Sequence, residues 1–156
     1  MAQQLWLLRH GEAVPHDSAA DDDARELTER GRDQARSAGR AMAALEVEVH
    51  LCFTSPKARA RETAELACAE LRVDPVDEDS LAEGFDGRAA LDLMAAAGAD
   101  QRVLVVGHEP DFSQVVYDLT GGRVDFKKGG VAGVRLDGSR GELIVLLRPR
   151  ETDRIR

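Results

Sequence analysis

The run Arg102-Val-Leu-Val-Val106 constrains this chain more than any other stretch. It is β-branched and almost wholly apolar, with no polar residue alternating along it. A strand of that composition needs cover on both faces, the situation of an interior strand in a parallel sheet with helices on either side. Gly107-His108 ends the run, and a helix is expected from about Pro110 to Gly121-Gly122. The other elements must supply the flanking strands and the two helical layers.

Residues 4–8 form a short apolar run that suits a buried strand ending before Arg9. Thr28 is a good N-cap for a helix over 28–45, where Ala35, Ala38, Met42 and Leu45 recur at helical spacing. Residues 47–54 read as a second strand. Ser55-Pro56 then reads as the cap and first-turn proline of a helix with Ala60, Thr63, Ala64, Ala67, Cys68 and Leu71 on one face. The stretch 73–87 is irregular and acidic, with room for one short strand, and 89–97 reads as a helix closed by Gly98. Residues 131–136 and 142–147 read as an antiparallel pair turning at Asp137-Gly138. The expected architecture is a three-layer α/β/α sandwich with a mixed, mostly parallel central sheet, in a single domain over 1–156.

Composition narrows the function classes. A chain of 156 residues, 43% hydrophobic and 32% charged, reads as soluble and globular, and its longest apolar runs are far too short to span a membrane. No basic leader precedes the first strand, so no signal peptide is expected. Cys52 and Cys68 form no CxxC or zinc-like spacing and read as buried reduced thiols, which fits a cytoplasmic protein. A formal charge of −8 argues against nucleic-acid binding, yet leaves room for a positive cleft that takes a small anion. The run Asp21-Asp22-Asp23 reads as solvated loop charge, and His16 and His50 as structural or exposed.

In open α/β sheets, ligands gather beyond the carboxyl ends of the strands. Three strands end in polar signals: Arg9-His10-Gly11, Thr54-Ser55-Pro56 and Gly107-His108-Glu109. If the three strands run parallel, two histidines and the nearby arginines converge on one pocket, beside glycines that admit close backbone approach. Arg59 and Arg61 point to different sides of a helix, so at most one of them is expected to face that pocket; Arg36, Arg61 and Arg72 read as surface residues.

LLRHGEA (7–13), LTERG (27–31), SPKARARET (55–63) and VVGHEP (105–110) together resemble the motifs of the histidine phosphatase superfamily. Within it, the chain is most similar to the small SixA-like phosphohistidine phosphatases. The resemblance implies a phosphoglycerate-mutase-like fold. It also implies that His10 is a nucleophile phosphorylated in turnover, that Arg9 and Arg59 hold the phosphoryl oxygens, and that His108 completes the pocket. Chemistry agrees, because phosphoryl transfer relies on positioning and charge stabilisation, and arginine supplies a forked, always-charged donor set without metal help. No cofactor and no metal are expected.

Larger members of the family place a carboxyl group in the pocket as the acid. Here Glu83 is the candidate, read either as that acid or as a solvated loop residue. A histidine leaving group, departing as neutral imidazole, needs such an acid less. Lys127 and Lys128 are two of only three lysines in the chain, and read either as an anion contact at the rim or as solvated charge. The expected partner is a phosphorylated protein (phosphohistidine), or alternatively a small phosphate ester, acted on by a monomer. A phosphate-binding module without turnover is the reading from a different class.

Overall fold

The computed structural model describes residues 2–18 and 21–156. Six strands form one sheet: β1 (Gln4–Arg9), β2 (Leu51–Thr54), β3 (Pro75–Asp77), β4 (Arg102–Gly107), β5 (Val131–Asp137) and β6 (Arg140–Leu147). Their order is β3-β2-β4-β1-β5-β6. Strand β4 lies between β2 and β1 and is parallel to both, while β3 is parallel to β2. The terminal hairpin joins through β5, antiparallel to β1 and to β6. The sheet is therefore mixed and mostly parallel, as expected.

Among the described residues, five α-helices cover it: α1 (Glu29–Ala44), α2 (Ala58–Leu71), α3 (Gly87–Ala95), α4 (Asp111–Thr120) and the short α5 (Pro149–Thr152). Side chains of a strand alternate between faces, and β4 divides accordingly. Leu104 and Val106 join Trp6, Leu8, Met42 and the alanines of α1 and α2 in one core. Val103 and Val105 join Leu5, Leu7, Phe112 and Met94, on the face covered by α3 and α4, in the other. Both cores need β4 fully buried, which is why its sequence carries no polar alternation.

Three sequence expectations are corrected. Residues 47–50 are not strand: β2 begins at Leu51, because pairing with β4 starts at the Leu51–Val103 register. Ser55-Pro56 does not open α2, which starts at Ala58 with Lys57 as its N-cap residue. Ser55 Oγ instead accepts from the Lys57 amide at 3.2 Å, ahead of the helix, and lies 2.8 Å from His108 Nε2. Helix α3 begins at Gly87 and ends at Ala95, two residues earlier than expected at each end. The Asp86 carboxylate accepts from the Ala89 amide and caps it there.

Candidate active site

The parallel arrangement of β1, β2 and β4 puts their carboxyl ends on one edge, and backbone hydrogen bonds carry the register beyond the strands. The His10 amide donates to the Gly107 carbonyl at 3.0 Å, and the Ser55 amide donates to the Val106 carbonyl at 2.9 Å. All three polar strand ends are thereby fixed relative to one another. A cleft of about 590 Å³ opens above them, with Arg9, His10, Lys57, Arg59, Glu83 and His108 among its lining residues.

Close backbone approach shapes the first loop. A Cβ on Gly11 would lie 2.5 Å from the Gly31 carbonyl oxygen, and one on Gly31 would lie 2.0 Å from that of Glu12. No side chain fits at either position, so the loop after β1 sits directly on the first turn of α1. Thr63 Oγ1, on α2, accepts from the Gly11 amide at 3.1 Å. Thr28 caps α1 as expected, its Oγ1 accepting from the Gly31 amide.

His10 is buried, and its Nδ1 lies 2.7 Å from the carbonyl oxygen of its neighbour Gly11. A carbonyl only accepts, so Nδ1 carries the proton and Nε2 presents a lone pair. Burial is the main cause that lowers the His10 pKa to about 3; the Gly11 carbonyl opposes it, and His108, Arg59 and Arg9 add to it. His108 lies with its ring centroid 5.2 Å from that of His10. Its Nε2 is 2.8 Å from Ser55 Oγ. Burial, followed by the charges of Arg59, Lys57 and Arg9, lowers its pKa to about 4. Both rings are therefore neutral at neutral pH.

The two arginines are held differently. Arg9 Nη1 donates to the Phe126 carbonyl at 2.7 Å. The Arg59 side chain is only 8% exposed; its Nη1 donates to the Asp22 carbonyl at 3.0 Å and its Nη2 to Asp22 Oδ2 at 3.4 Å. The Nε atoms of both are buried and without a partner among the described residues. Buried donors are normally paired, so two orphaned guanidinium donors beside a neutral imidazole describe a site built for an anion. Burial lowers the pKa of each arginine, and neighbouring carboxylates oppose the shift. Arginine stays charged through such shifts. Helix α2 starts at the same edge and adds the positive end of its dipole.

His10, Arg9, Arg59, His108, Glu83 and Lys128 thus share one cleft, whereas Lys127 lies outside it and pairs with Asp125 at 2.9 Å. Glu83 is at the rim, 85% exposed, with Oε1 3.3 Å from Lys57 Nζ. Lys57 is a cleft cation that sequence reasoning missed. Its side chain is 11% exposed and also pairs with Asp23 at 3.5 Å. The acidic run is corrected as well, because Asp22 and Asp23 are not merely solvated. The Asp22 carboxylate meets Arg25 at 2.8 Å, His16 at 2.9 Å and Arg59 at 3.4 Å. Its pKa is lowered, chiefly by the Arg25 hydrogen bond. His16 accordingly lines the cleft mouth, while His50 is structural, its Nδ1 accepting from the Arg102 amide. The only signal in the sequence for the acidic segment was its position between the first two site motifs.

Both cysteines are free and buried, and the hydrogen bond with Cys68, followed by burial, raises the Cys52 pKa. Among the described residues, no helix is long and apolar enough to cross a membrane.

Residues 5–89 match the family model described as the histidine phosphatase superfamily (branch 1). An uncharacterized protein of Picosynechococcus sp. is 30% identical over 164 aligned positions, covering 94% of this chain and 97% of the relative. Among solved structures, the protein histidine phosphatase SixA complexed with tungstate superposes with a TM-score of 0.87. Its identity is 26%, with 95% of this chain and 98% of that one covered. A putative alpha-ribazole-5'-P phosphatase from Escherichia coli str. K-12 substr. MG1655 shares the fold at a TM-score of 0.78 and 21% identity, over 95% of this chain and 98% of that one.

Proposed function

Because the chain belongs to the histidine phosphatase superfamily, branch 1, we propose that it is a metal-independent phosphohydrolase working through a phosphohistidine on His10, with protein phosphohistidine as its substrate. The observation that carries this is the His10 tautomer. With Nδ1–H donated to the Gly11 carbonyl, Nε2 is a free nucleophile in a cleft with two arginines. The tungstate of the SixA relative is an oxyanion, the class of ligand that such a cleft suits.

In the first step Nε2 forms a bond to phosphorus as the bond to the leaving nitrogen or oxygen breaks. Arg9 and Arg59 hold the phosphoryl oxygens, and neutral His108 stands beside them. Water then attacks phosphorus, the P–Nε2 bond breaks, and neutral His10 and phosphate are released. An imidazole leaving group needs one proton at its departing nitrogen, which solvent at an open cleft supplies. An ester needs a proton at oxygen. Of the carboxylates lining the cleft, Asp111 accepts from the Phe85 amide and Glu109 from the Ser113 amide and hydroxyl, whereas Glu83 is exposed at the rim and meets the Lys57 ammonium, so Glu83 is the proposed carrier. A small phosphate ester is the second reading, favoured by the fit of a cleft of about 590 Å³ to a ligand of that size.

The test compares wild type with His10→Ala on a phosphohistidine protein and on p-nitrophenyl phosphate, with and without chelator. Wild type should turn over in both conditions and form an acid-labile phosphoenzyme that His10→Ala lacks. Full activity in His10→Ala would refute the mechanism. Wild type that binds phosphate without releasing it from any substrate would make the chain a binding module.

A further inference from the structure

The KKGG segment before β5 is docked on the catalytic strand. The Gly129 amide donates to the Arg9 and His10 carbonyls, both at 3.1 Å, and the Arg9 amide donates to the Gly130 carbonyl at 3.0 Å. Gly129 has φ +76°, and a Cβ there would lie 2.8 Å from the Cβ of Gln34 on α1. The segment is therefore clamped between β1 and α1, which fixes where the two lysines stand. Lys128 lines the catalytic cleft and also a second cavity of about 470 Å³, and Arg9 is likewise common to both.

That second cavity gathers cations from three parts of the fold. Arg30 comes from the first turn of α1, Lys127 and Lys128 from the loop, and Arg148 and Arg150 from the start of α5. Glu12 is its one lining carboxylate among the described residues. Concentrating this charge at one place is notable in a chain with a formal charge of −8. The cations are exposed, Arg30 by 76% and Arg150 by 74% of their side chains. Two of their pairs are long, Arg30 to Glu12 at 3.9 Å and Arg150 to Glu151 at 3.5 Å, whereas Arg148 meets Glu151 and Lys127 meets Asp125 at 2.9 Å. Lys128 has no ion pair among the described residues.

Exposed cations, of which Arg30 and Arg150 are only loosely paired and Lys128 is without an ion pair among the described residues, do not make a tight pocket for one small anion. They make a face whose pairs exchange readily, suited to steering and orienting a larger acidic surface. The geometry points to this recess as the docking face for acidic side chains that flank the phosphorylated residue of a protein substrate. The inference rests on the phosphatase reading and deepens it: the partner is an acidic protein segment. The shared Arg9 and Lys128 place that segment directly beside the phosphoryl group.

The experiment uses two synthetic phosphohistidine peptides of equal length, one with flanking Asp and Glu, the other with Ser and Gly. Wild type should show about five-fold higher kcat/KM on the acidic peptide at low salt, and the preference should fade as salt screens the face. Arg30→Gln/Arg150→Gln should remove the preference and leave p-nitrophenyl phosphate turnover unchanged. Both substituted side chains are exposed, and the Arg148–Glu151 capping box of α5 is left intact. Circular dichroism checks that the variant is folded. Equal rates on the two peptides in wild type would overturn the docking face, as would a preference that survives in the variant. A gain confined to small esters carrying a second phosphate, lost in the same variant, would also overturn it and make the recess a small-ligand subsite. Binding of the unphosphorylated peptides, read by fluorescence anisotropy, tests the face without turnover. A wild type inactive on every substrate would sink the phosphatase reading alone.

Discussion

The cleft above the strand ends and the recess beside it share Arg9 and Lys128, yet they use charge in opposite ways. In the cleft most of the cations are withdrawn from water, with Arg59 buried against the Asp22 segment, Lys57 only 11% exposed and Arg9 anchored to the Phe126 carbonyl. In the recess most are exposed; Arg30 and Arg150 are paired at 3.9 and 3.5 Å, and Lys127 and Arg148 at 2.9 Å in the open. The same unit charge acts far more strongly where solvent is excluded. The comparison teaches that burial, not the number of cations, separates the region able to stabilise a phosphoryl group from the region able only to attract one.

The sharpest way to break that comparison is to remove a cation from each side. Arg59→Ala should lower kcat/KM on p-nitrophenyl phosphate by about 10²-fold or more, since it deletes charge-assisted bonds each worth about 1.5–3 kcal/mol. Raising the salt should not restore the difference, because the lost contacts are shielded from solvent. Arg59→Lys should recover only part of the activity, for an ammonium cannot reproduce the guanidinium fork. A loss no larger than that from a recess cation would mean burial does not set the ranking.

A second measurement sharpens the contrast through pH. An exposed histidine titrates near 6.5, whereas His10 is held down to about 3 and His108 to about 4, mainly by burial. Neutral His10 is the reactive form, so the acid limb of kcat/KM should lie well below pH 6.5 once the substrate's own ionisation is allowed for. Stability has the same sign. Below pH 6.5 the unfolded chain binds protons that the folded chain refuses, so the folded state loses ground as pH falls from about 6.5 through about 4 and about 3. A pH–rate profile with an acid limb at 6.5 would show that the histidines are solvated.

How far the sequence led depends on which interactions place each residue. Strand β4 was legible because its burial on both faces is written into consecutive residues 103–106. Arg9, His10 and His108 were legible because they follow strands whose parallel pairing the strand–helix alternation dictates. Thr28 was legible as a cap because capping is local. Ser55 was misread for the same reason: a Ser-Pro pair is a good local cap, but the Ser55 hydroxyl lies against His108, 53 positions away. Residues 47–50 looked like strand by composition, yet only pairing with β4 decides where β2 begins. Asp22 and Lys57 were missed because their significance comes from partners in other elements, and no pattern along the chain marks those. The docking of KKGG onto β1 was hidden likewise, since it depends on the Gly129 amide reaching the Arg9 and His10 carbonyls.

The smallest expected effect separates the two lysines that adjacency in sequence makes look equivalent. Lys128 lines both cavities and is without an ion pair among the described residues, while Lys127 lines only the recess and is paired with Asp125 at 2.9 Å. On p-nitrophenyl phosphate, which carries no second acidic group, Lys128→Gln should raise KM about three- to five-fold and leave kcat nearly unchanged. Its charge attracts the phosphate in the ground state and the transition state alike. Lys127→Gln should change KM by less than about two-fold, because its charge is offset by Asp125 and lies outside the cleft. The Lys128 effect should shrink as ionic strength rises, unlike the Arg59 loss, because an exposed cation is screened and a buried one is not. Equal effects from the two lysines would mean that the boundary between cleft and recess does not separate binding from steering.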